Sequence, residues 1–218
     1  MQQNGLSDLA YHKIKTLILH NQLKPGQLVK ESQLQDMVGI GRTPVREALL
    51  RLADNELVSI HPRKGIEIAK ISPKSIHDIF TARILIEPSI LQDYHQNIPQ
   101  NDLIQLQNRF TELNVLDALS HESALALAEL DDQFHLMIVS AMGNQYATRM
   151  MNLFVDKLTI IRAAVSVHDE HRWISSNQEH LHIIDAVLNG DIPSACTLLR
   201  QHLDTSYDEA VKTLMHMD

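Results

Sequence analysis

The feature that most constrains this 218-residue chain is the distribution of its glycines. Five of the seven fall within the first 65 residues, where they separate short apolar segments, and only Gly143 and Gly190 follow. Because glycine interrupts helices and permits tight turns, this distribution predicts a small mixed domain followed by an all-helical one. We expect a mainly α protein with domains at 1–70 and 75–218, joined by a linker at 71–74.

The first 70 residues carry the pattern of three helices followed by a β-hairpin. Apolar residues at helical spacing predict a helix that ends at Pro25-Gly26, and shorter helices follow at roughly 31–37 and 43–55. Thr43 is expected to be the N-cap of the third helix, with Pro44 at its first position. Two short strands joined by a basic tip come next, and this order predicts a winged helix-turn-helix with a small hairpin wing.

The remainder of the chain predicts a bundle of about six helices. Asn144 and Asp191 are expected N-caps, and Pro88 lies inside the first helix, where it should introduce a kink. The predicted helices span roughly 73–96, 100–118, 121–142, 144–167, 171–189 and 191–216.

Charge separates the same two parts. Residues 1–70 carry ten Lys or Arg against seven Asp or Glu, whereas residues 71–218 carry nine against twenty. A nucleic-acid partner is therefore open to the first part, although the whole chain is acidic. The single Cys196 excludes a disulfide framework and a thiolate zinc cluster. No apolar run is long enough for a membrane span and no secretory leader is visible, so we expect a cytoplasmic protein with no membrane partner.

The third predicted helix has the residues needed to contact DNA. Its N-terminal end would face base edges in the major groove, with the positive end of the helix dipole favouring phosphate. Arg42 and Arg46 are one turn apart and can each bind a guanine or a phosphate, and Thr43 can donate to phosphate. The apolar positions of this helix are expected to form its buried face: Val45, Ala48, Leu49 and Leu52.

This region resembles a known DNA-binding family. About residues 6–70 are similar to the N-terminal winged helix-turn-helix of GntR-family transcription regulators, through the segment KPGQLVKESQLQDMVGIGRTPVREALLRLADNELVSIHPRKGIEIA. The resemblance implies that Arg42, Thr43 and Arg46 contact DNA, and that Lys64 and Gly65 at the wing tip approach the minor groove.

Two positions depart from the family pattern. The family usually has Ser or Thr where this chain has Gly41, and many members have Arg in place of Ser32. The resemblance therefore implies the loss of a phosphate-binding hydroxyl and of one charged DNA contact.

The acidic part contains residues suited to metal binding. Asp131 and His135 are four residues apart and share one helix face, close enough to bind one ion. His180 and His202 lie on the last two predicted helices, which can bring them to one level of an antiparallel bundle. His121 and His182 are competing candidates, but His182 is two residues from His180 and faces elsewhere on the helix. Asp132 is less well placed than Asp131, because it lies three residues rather than four from His135.

About residues 75–213 resemble the ligand-binding domain of the FCD branch of the GntR family. The similarity rests on Asp131-x-x-Phe134-His135, the Gly143-Asn144 break, Glu179-His180 and His202-Leu203. In that family an aspartate and three histidines bind a divalent metal, and the resemblance implies the same role for Asp131, His135, His180 and His202. The short, six-helix domain is more similar to the vanillate-regulator subgroup than to the seven-helix fatty-acid type.

One carboxylate and three imidazoles suit zinc above all, and also nickel, manganese or iron, and they leave coordination positions open. We expect these positions to take a small organic acid, whose charge an arginine would balance. The candidate arginines are Arg83, Arg149 and Arg162.

The leading interpretation is a ligand-responsive transcription regulator, not an enzyme, that binds palindromic operator DNA as a homodimer. The alternative is a metal-dependent hydrolase fused to a winged domain, because the same ligands also build catalytic sites. Asp132, Glu129 and Glu179 are the acids nearest in sequence to the metal candidates, but none has the spacing of a known metallohydrolase motif.

Overall fold

A computed structural model describes residues 2–70, 72–114, 121–165 and 170–215 of the chain. These residues divide into two compact units, one formed by 1–71 with 156–164 and the other by 72–155 with 165–218. The structure is mainly helical, with a small antiparallel sheet, as the sequence predicts.

The first unit contains three helices and three short strands. Strand β3 lies at the centre of the sheet and pairs antiparallel with β1 on one side and β2 on the other, with Val29 opposite Ile66 and Ile60 opposite Ile66. The elements are α1 (Gln2–Leu19), β1 (Leu28–Val29), α2 (Glu31–Val38), α3 (Arg42–Asp54), β2 (Val58–His61) and β3 (Gly65–Ile68).

The predicted helices and hairpin are confirmed, with two corrections. Strand β1 is not among the predicted elements, because its two residues have no periodic pattern of their own. Thr43 is not the N-cap of α3, because the helix starts at Arg42 and the N-cap is Gly41, in an extended conformation. The Gly41 carbonyl accepts the first helical hydrogen bond, from the Val45 N–H at 3.3 Å. Thr43 therefore lies inside the first turn.

The apolar stripe of α3 forms the centre of this unit. Val45, Ala48, Leu49 and Leu52 are all buried, as the helical spacing predicts. They pack in one core cluster with residues of α1, α2 and the sheet, so the opposite face of α3 points to solvent. The residues from those other elements are Ala10, Ile14, Ile18, Leu34, Val38, Val58, Ile66 and Ile68.

Gly65 has a structural role in the sheet that the sequence did not indicate. Its φ of 123° lies in a region that side chains rarely adopt, and an added Cβ would lie 2.6 Å from the carbonyl oxygen of Val29. The short strand β1 can therefore pair with β3 at this point only because position 65 has no side chain.

We expect Gly65→Ala to lower the free energy of unfolding by about 2 kcal/mol or more, since backbone strain and overlap with Val29 add. Urea denaturation followed by circular dichroism measures the change. The matched control is Gly5→Ala, at an exposed position of α1 with open space around it, which should stabilise the chain by about 0.5–1 kcal/mol. Equal stabilities of the two variants would contradict the steric argument.

The second part of the chain contains all six predicted helices within the described residues. Asn144 accepts hydrogen bonds from the Tyr146 and Ala147 N–H groups, and Asp191 accepts one from the Ser194 N–H, so both predicted N-caps are confirmed. Pro88 lies inside the first of these helices. The helices are α4 (Pro73–Tyr94), α5 (Gln100–Asn114), α6 (His121–Ser140), α7 (Gln145–Val165), α8 (Glu170–Leu188) and α9 (Ile192–Met215).

The second unit is organised around a core of large apolar side chains from several helices. Phe110 of α5 and Phe134 of α6 are each only 1% exposed and lie beside the site described below.

In the parts of the chain that the structure describes, no helix combines the length and the apolar character needed to cross a bilayer. Helix α7 is shared between the units, because its residues 156–164 belong to the first unit. There the Asp156 Oδ1 atom lies 2.5 Å from Lys15 Nζ.

Candidate functional site

The predicted DNA-contacting residues of α3 lie at the exposed N-terminal end of that helix. Arg42 is the first helical residue, its side chain is 77% exposed, and its Nε lies 3.3 Å from Glu31 Oε1 on α2. Thr43 and Arg46 are also exposed. The left-handed conformation of Gly39 (φ 67°) ends α2 and turns the chain toward α3. This is the helix-turn-helix geometry in which a second helix presents its N-terminus to the major groove.

The remaining predicted DNA contacts lie at the turn between β2 and β3. Lys64 is exposed, and its backbone N–H donates to the His61 carbonyl at 3.2 Å. Gly65 is half-buried against β1, so its lack of a side chain already has an explanation within the protein. Lys64 is thus better placed than Gly65 for a contact with DNA.

The four predicted metal ligands converge inside the second unit. Asp131 and His135 of α6, His180 of α8 and His202 of α9 each offer one ligand atom, and these atoms all lie within 4.8 Å of one another. The three imidazoles are almost fully buried, and the Asp131 side chain is 16% exposed. The predicted antiparallel approach of the last two helices therefore brings the distant histidines to the Asp131–His135 pair.

The distances suit a single small cation. His135 Nε2 lies 3.3 Å from His202 Nε2 and 3.4 Å from His180 Nε2, and Asp131 Oδ1 lies 3.3 Å from His180 Nε2. Two nitrogens bound at about 2.1 Å to a tetrahedral ion are about 3.4 Å apart. The same ring nitrogen of every histidine faces the cluster, so all three rings can bind one ion through Nε2.

In two of these histidines, the ring nitrogen that points away from the cluster contacts a carboxylate. The Nδ1 atom of His135 lies 2.6 Å from Glu87 Oε2, and that of His202 lies 2.6 Å from Glu179 Oε2. The other oxygen of Glu87 accepts a hydrogen bond from Arg83 Nε at 2.6 Å. A carboxylate on the outer ring nitrogen is the usual support of a metal-binding histidine, because it orients the ring and leaves the inner nitrogen free of hydrogen.

His180 is positioned mainly by aromatic packing. Its ring stacks on Phe110 with an interplanar angle of 7° and a centroid distance of 5.0 Å, and the edge of Phe134 lies at 5.1 Å. Within the described residues, no carboxylate meets its Nδ1 atom. The three imidazoles of the cluster are therefore chemically unequal.

The buried environment sets the charge of the cluster. Burial alone would raise the pKa of Glu87, but Arg83 and His135 together lower it to about 2. Burial lowers the pKa of His135 although Glu87 opposes the shift, and burial together with His202 lowers the pKa of His180 well below its ordinary value. At neutral pH Glu87 is thus ionised, while His135 and His180 are neutral and able to bind a metal.

We expect acid to destabilise the metal-free protein through these histidines. Their folded-state pKa values are lowered, so the unfolded chain binds protons more tightly, and stability falls as the pH drops below about 6.5. Each such histidine contributes a slope of up to about 1.4 kcal/mol per pH unit. Urea denaturation in a chelator at pH 7.5 and 5.5 measures the slope. His180→Gln should flatten it and exposed His182→Gln should not; equal slopes in both variants would refute the assignment.

The three arginines named as effector candidates are placed very differently. Arg83 is buried and connected to the cluster through Glu87 and His135. Arg149 is exposed on α7. Arg162 lies in the segment of α7 that belongs to the first unit, and its side chain lies outside the described residues.

Sequence reasoning missed the role of Glu87. The available signal was the pair Arg83 and Glu87, two opposite charges one turn apart in an otherwise apolar stretch of α4. Glu179, one of the acids nearest in sequence to the metal candidates, contacts the Nδ1 side of His202, whereas Nε2 of that ring faces the cluster. It therefore supports one of the rings of the cluster.

Comparisons with known proteins match two successive parts of the chain to two families. Residues 6–68 match the family "Bacterial regulatory proteins, gntR family", and residues 78–205 match the FCD domain. The HTH-type transcriptional repressor GlaR of Escherichia coli is 28% identical over 211 residues, which cover 89% of this chain and 91% of GlaR.

Two solved structures are similar in fold, one over nearly the whole chain and one over about two thirds of it. Escherichia coli McbR/YncC superposes with a TM-score of 0.79 at 17% identity, covering 95% of this chain and 97% of that one. The Zn²⁺-bound FCD domain of TM0439, a transcriptional regulator, has a TM-score of 0.52 at 21% identity, and the match covers 67% of this chain and 98% of that domain.

The families and relatives matched are transcription regulators and not enzymes, so the hydrolase alternative is not supported. The chain belongs to the GntR family of DNA-binding transcription regulators, in the branch whose C-terminal domain is an FCD domain.

Proposed function

We propose that this regulator binds palindromic operator DNA as a homodimer, and that a divalent metal and a small organic acid bound in its second unit change its operator affinity. The observation that carries the proposal is the convergence of Asp131 and three histidine Nε2 atoms in a buried cluster. A regulator of this kind acts in the cytoplasm, where its operator lies.

The cluster suits zinc best. Its donors are one carboxylate and three imidazoles, and two of the imidazoles have carboxylates on their outer nitrogens. The Zn²⁺-bound FCD domain of TM0439 supports the same choice, while nickel, manganese and iron are the alternatives that the donor set accepts. When bound, the ion supplies positive charge and open coordination positions for a carboxylate or hydroxyl group.

Arg83 is the strongest candidate to balance the charge of the acid. Its Nη2 atom is buried, and no hydrogen-bond partner for it is found among the described residues, although its Nε holds Glu87. An unpaired buried guanidinium nitrogen is costly unless a ligand satisfies it. Arg149 is exposed and Arg162 belongs to the first unit, so both are weaker candidates.

The winged unit is proposed to bind DNA through Arg42, Thr43 and Arg46, with Lys64 and Gly65 at the wing. If Arg46 binds a guanine, Arg46→Ala should weaken binding to the operator by about 1–3 kcal/mol and leave binding to random DNA almost unchanged. Fluorescence anisotropy on both DNAs at the same salt concentration measures the difference. An equal loss on both DNAs would show that Arg46 binds phosphate.

A homodimer is proposed because one small winged unit buries little DNA surface, and paired half-sites multiply affinity. The repressor GlaR supports a repressing role, and six helices within the described residues of the second part support the vanillate-regulator type of domain. Light scattering at micromolar concentration tests the dimer. A strict monomer with full operator affinity would overturn it.

A further inference from the structure

Glu87 connects two hydrogen-bond donors inside the second unit. Its side chain is 1% exposed, with Oε1 accepting from Arg83 Nε at 2.6 Å and Oε2 lying 2.6 Å from His135 Nδ1. Arg83 is itself only 4% exposed, and its guanidinium lies 5.5 Å from the ring centroid of Phe80. Water therefore has little access to compete for either oxygen.

The contact with Glu87 determines which nitrogen of His135 carries hydrogen. A carboxylate only accepts hydrogen bonds, so a neutral His135 must donate from Nδ1 and keep the lone pair on Nε2. That Nε2 atom lies 3.4 Å from His180 Nε2 and 3.3 Å from His202 Nε2. The opposite tautomer would direct an N–H into the cluster and block one of its ligands.

We propose that Glu87 is a positioning residue that selects the Nδ1–H tautomer of His135, and that Arg83 makes a carboxylate necessary at this position. The inference rests on the metal cluster of the proposed function and extends it to residues outside the ligand set. Because both neighbours of Glu87 are donors, position 87 needs two acceptor atoms. A glutamine has one acceptor oxygen and one donor NH₂ group, so it can satisfy only one of the two.

Glu87→Gln tests this requirement with almost no change of volume. While Arg83 occupies the amide oxygen, the NH₂ group faces His135 and forces hydrogen onto Nε2. Long-range ¹H–¹⁵N correlation spectra of the metal-free full-length chain, with His135 assigned from the His135→Gln spectrum, should show Nδ1–H in the original chain and Nε2–H in the variant. Competition with a chelator should show zinc affinity reduced by about 10–100-fold.

The double variant Arg83→Met/Glu87→Gln separates this mechanism from a general loss of packing. Without Arg83, the amide oxygen can turn to His135, so the Nδ1–H tautomer and part of the zinc affinity should return. If Glu87 only fills space, the second substitution should weaken zinc binding further, and that result would overturn the proposal. Circular dichroism of each variant confirms that the helices are intact.

The tautomer measurement also separates this proposal from the metal site itself. If the original chain binds no zinc, the proposed metal function fails, yet the metal-free spectra still report whether Glu87 sets the tautomer of His135. A Glu87→Gln variant with the original tautomer and unchanged zinc affinity would overturn the inference and leave the metal site standing.

Discussion

Chelation of the metal is expected to lower the melting temperature of the purified protein by about 8–16 °C. An ion that binds only the folded state stabilises it by about 4 kcal/mol when its free concentration is 1,000 times the dissociation constant. In a chain of this size 1 kcal/mol corresponds to about 2–4 °C. The physical source is the cluster, where Nε2 atoms lie 3.3 Å and 3.4 Å apart and a bound cation would interact favourably with all of them.

Single substitutions should locate the ion. The chain is expected to carry about one divalent ion per subunit, and His180→Ala and His202→Ala should each remove most of it, as measured by elemental analysis. His182→Ala is the matched control, because His182 is exposed and lies two residues from His180 on the same helix. If both ligand variants keep their full metal content, the ion is bound elsewhere. If His180→Ala keeps its full metal content and His182→Ala loses it, His182 is the ligand in place of His180.

An organic acid bound at the metal is expected to change operator affinity by roughly 5–150-fold, which corresponds to about 1–3 kcal/mol of coupling. Helix α4 is the proposed route. It begins at Pro73, immediately after the boundary between the two units, and it also contains Arg83, Glu87 and Pro88. An acid that binds Arg83 or the metal at the His135 side of the cluster would favour one arrangement of this helix. In the proposed dimer, that preference would change the spacing of the two winged units.

Reciprocity makes this prediction measurable. Operator DNA must change the affinity for the acid by the same factor as the acid changes the affinity for DNA. A thermal-shift screen of small carboxylic acids on zinc-loaded protein identifies a ligand, and calorimetric titration with and without operator then measures the coupling. The neutral amide of the same acid is the control, since it lacks the charge that the metal and Arg83 would bind. Identical acid affinities in the two titrations would show that this cluster is not the regulatory site.

Local patterns in the sequence determined the helices and half of the metal cluster. The buried face of α3, the N-caps Asn144 and Asp191 and the Asp131–His135 pair all depend on residues within one or two turns of each other. Helix geometry alone fixes such relations, because positions three or four residues apart share a face. The choice of His180 and His202 over nearby histidines additionally needed the family resemblance.

Only the tertiary structure decided the contacts between distant segments. Strand β1 exists because it pairs with β3 far along the chain, and that pairing explains why position 65 must be glycine. Glu87 is 48 residues from His135, so its support of that ring follows from the packing of α4 against α6 and not from any spacing. The pKa values of the buried groups depend on the same packing, since burial and the charges brought together by different helices set them. A sequence specifies which residues share a helix face, whereas the faces that meet are chosen by the packing of the whole core.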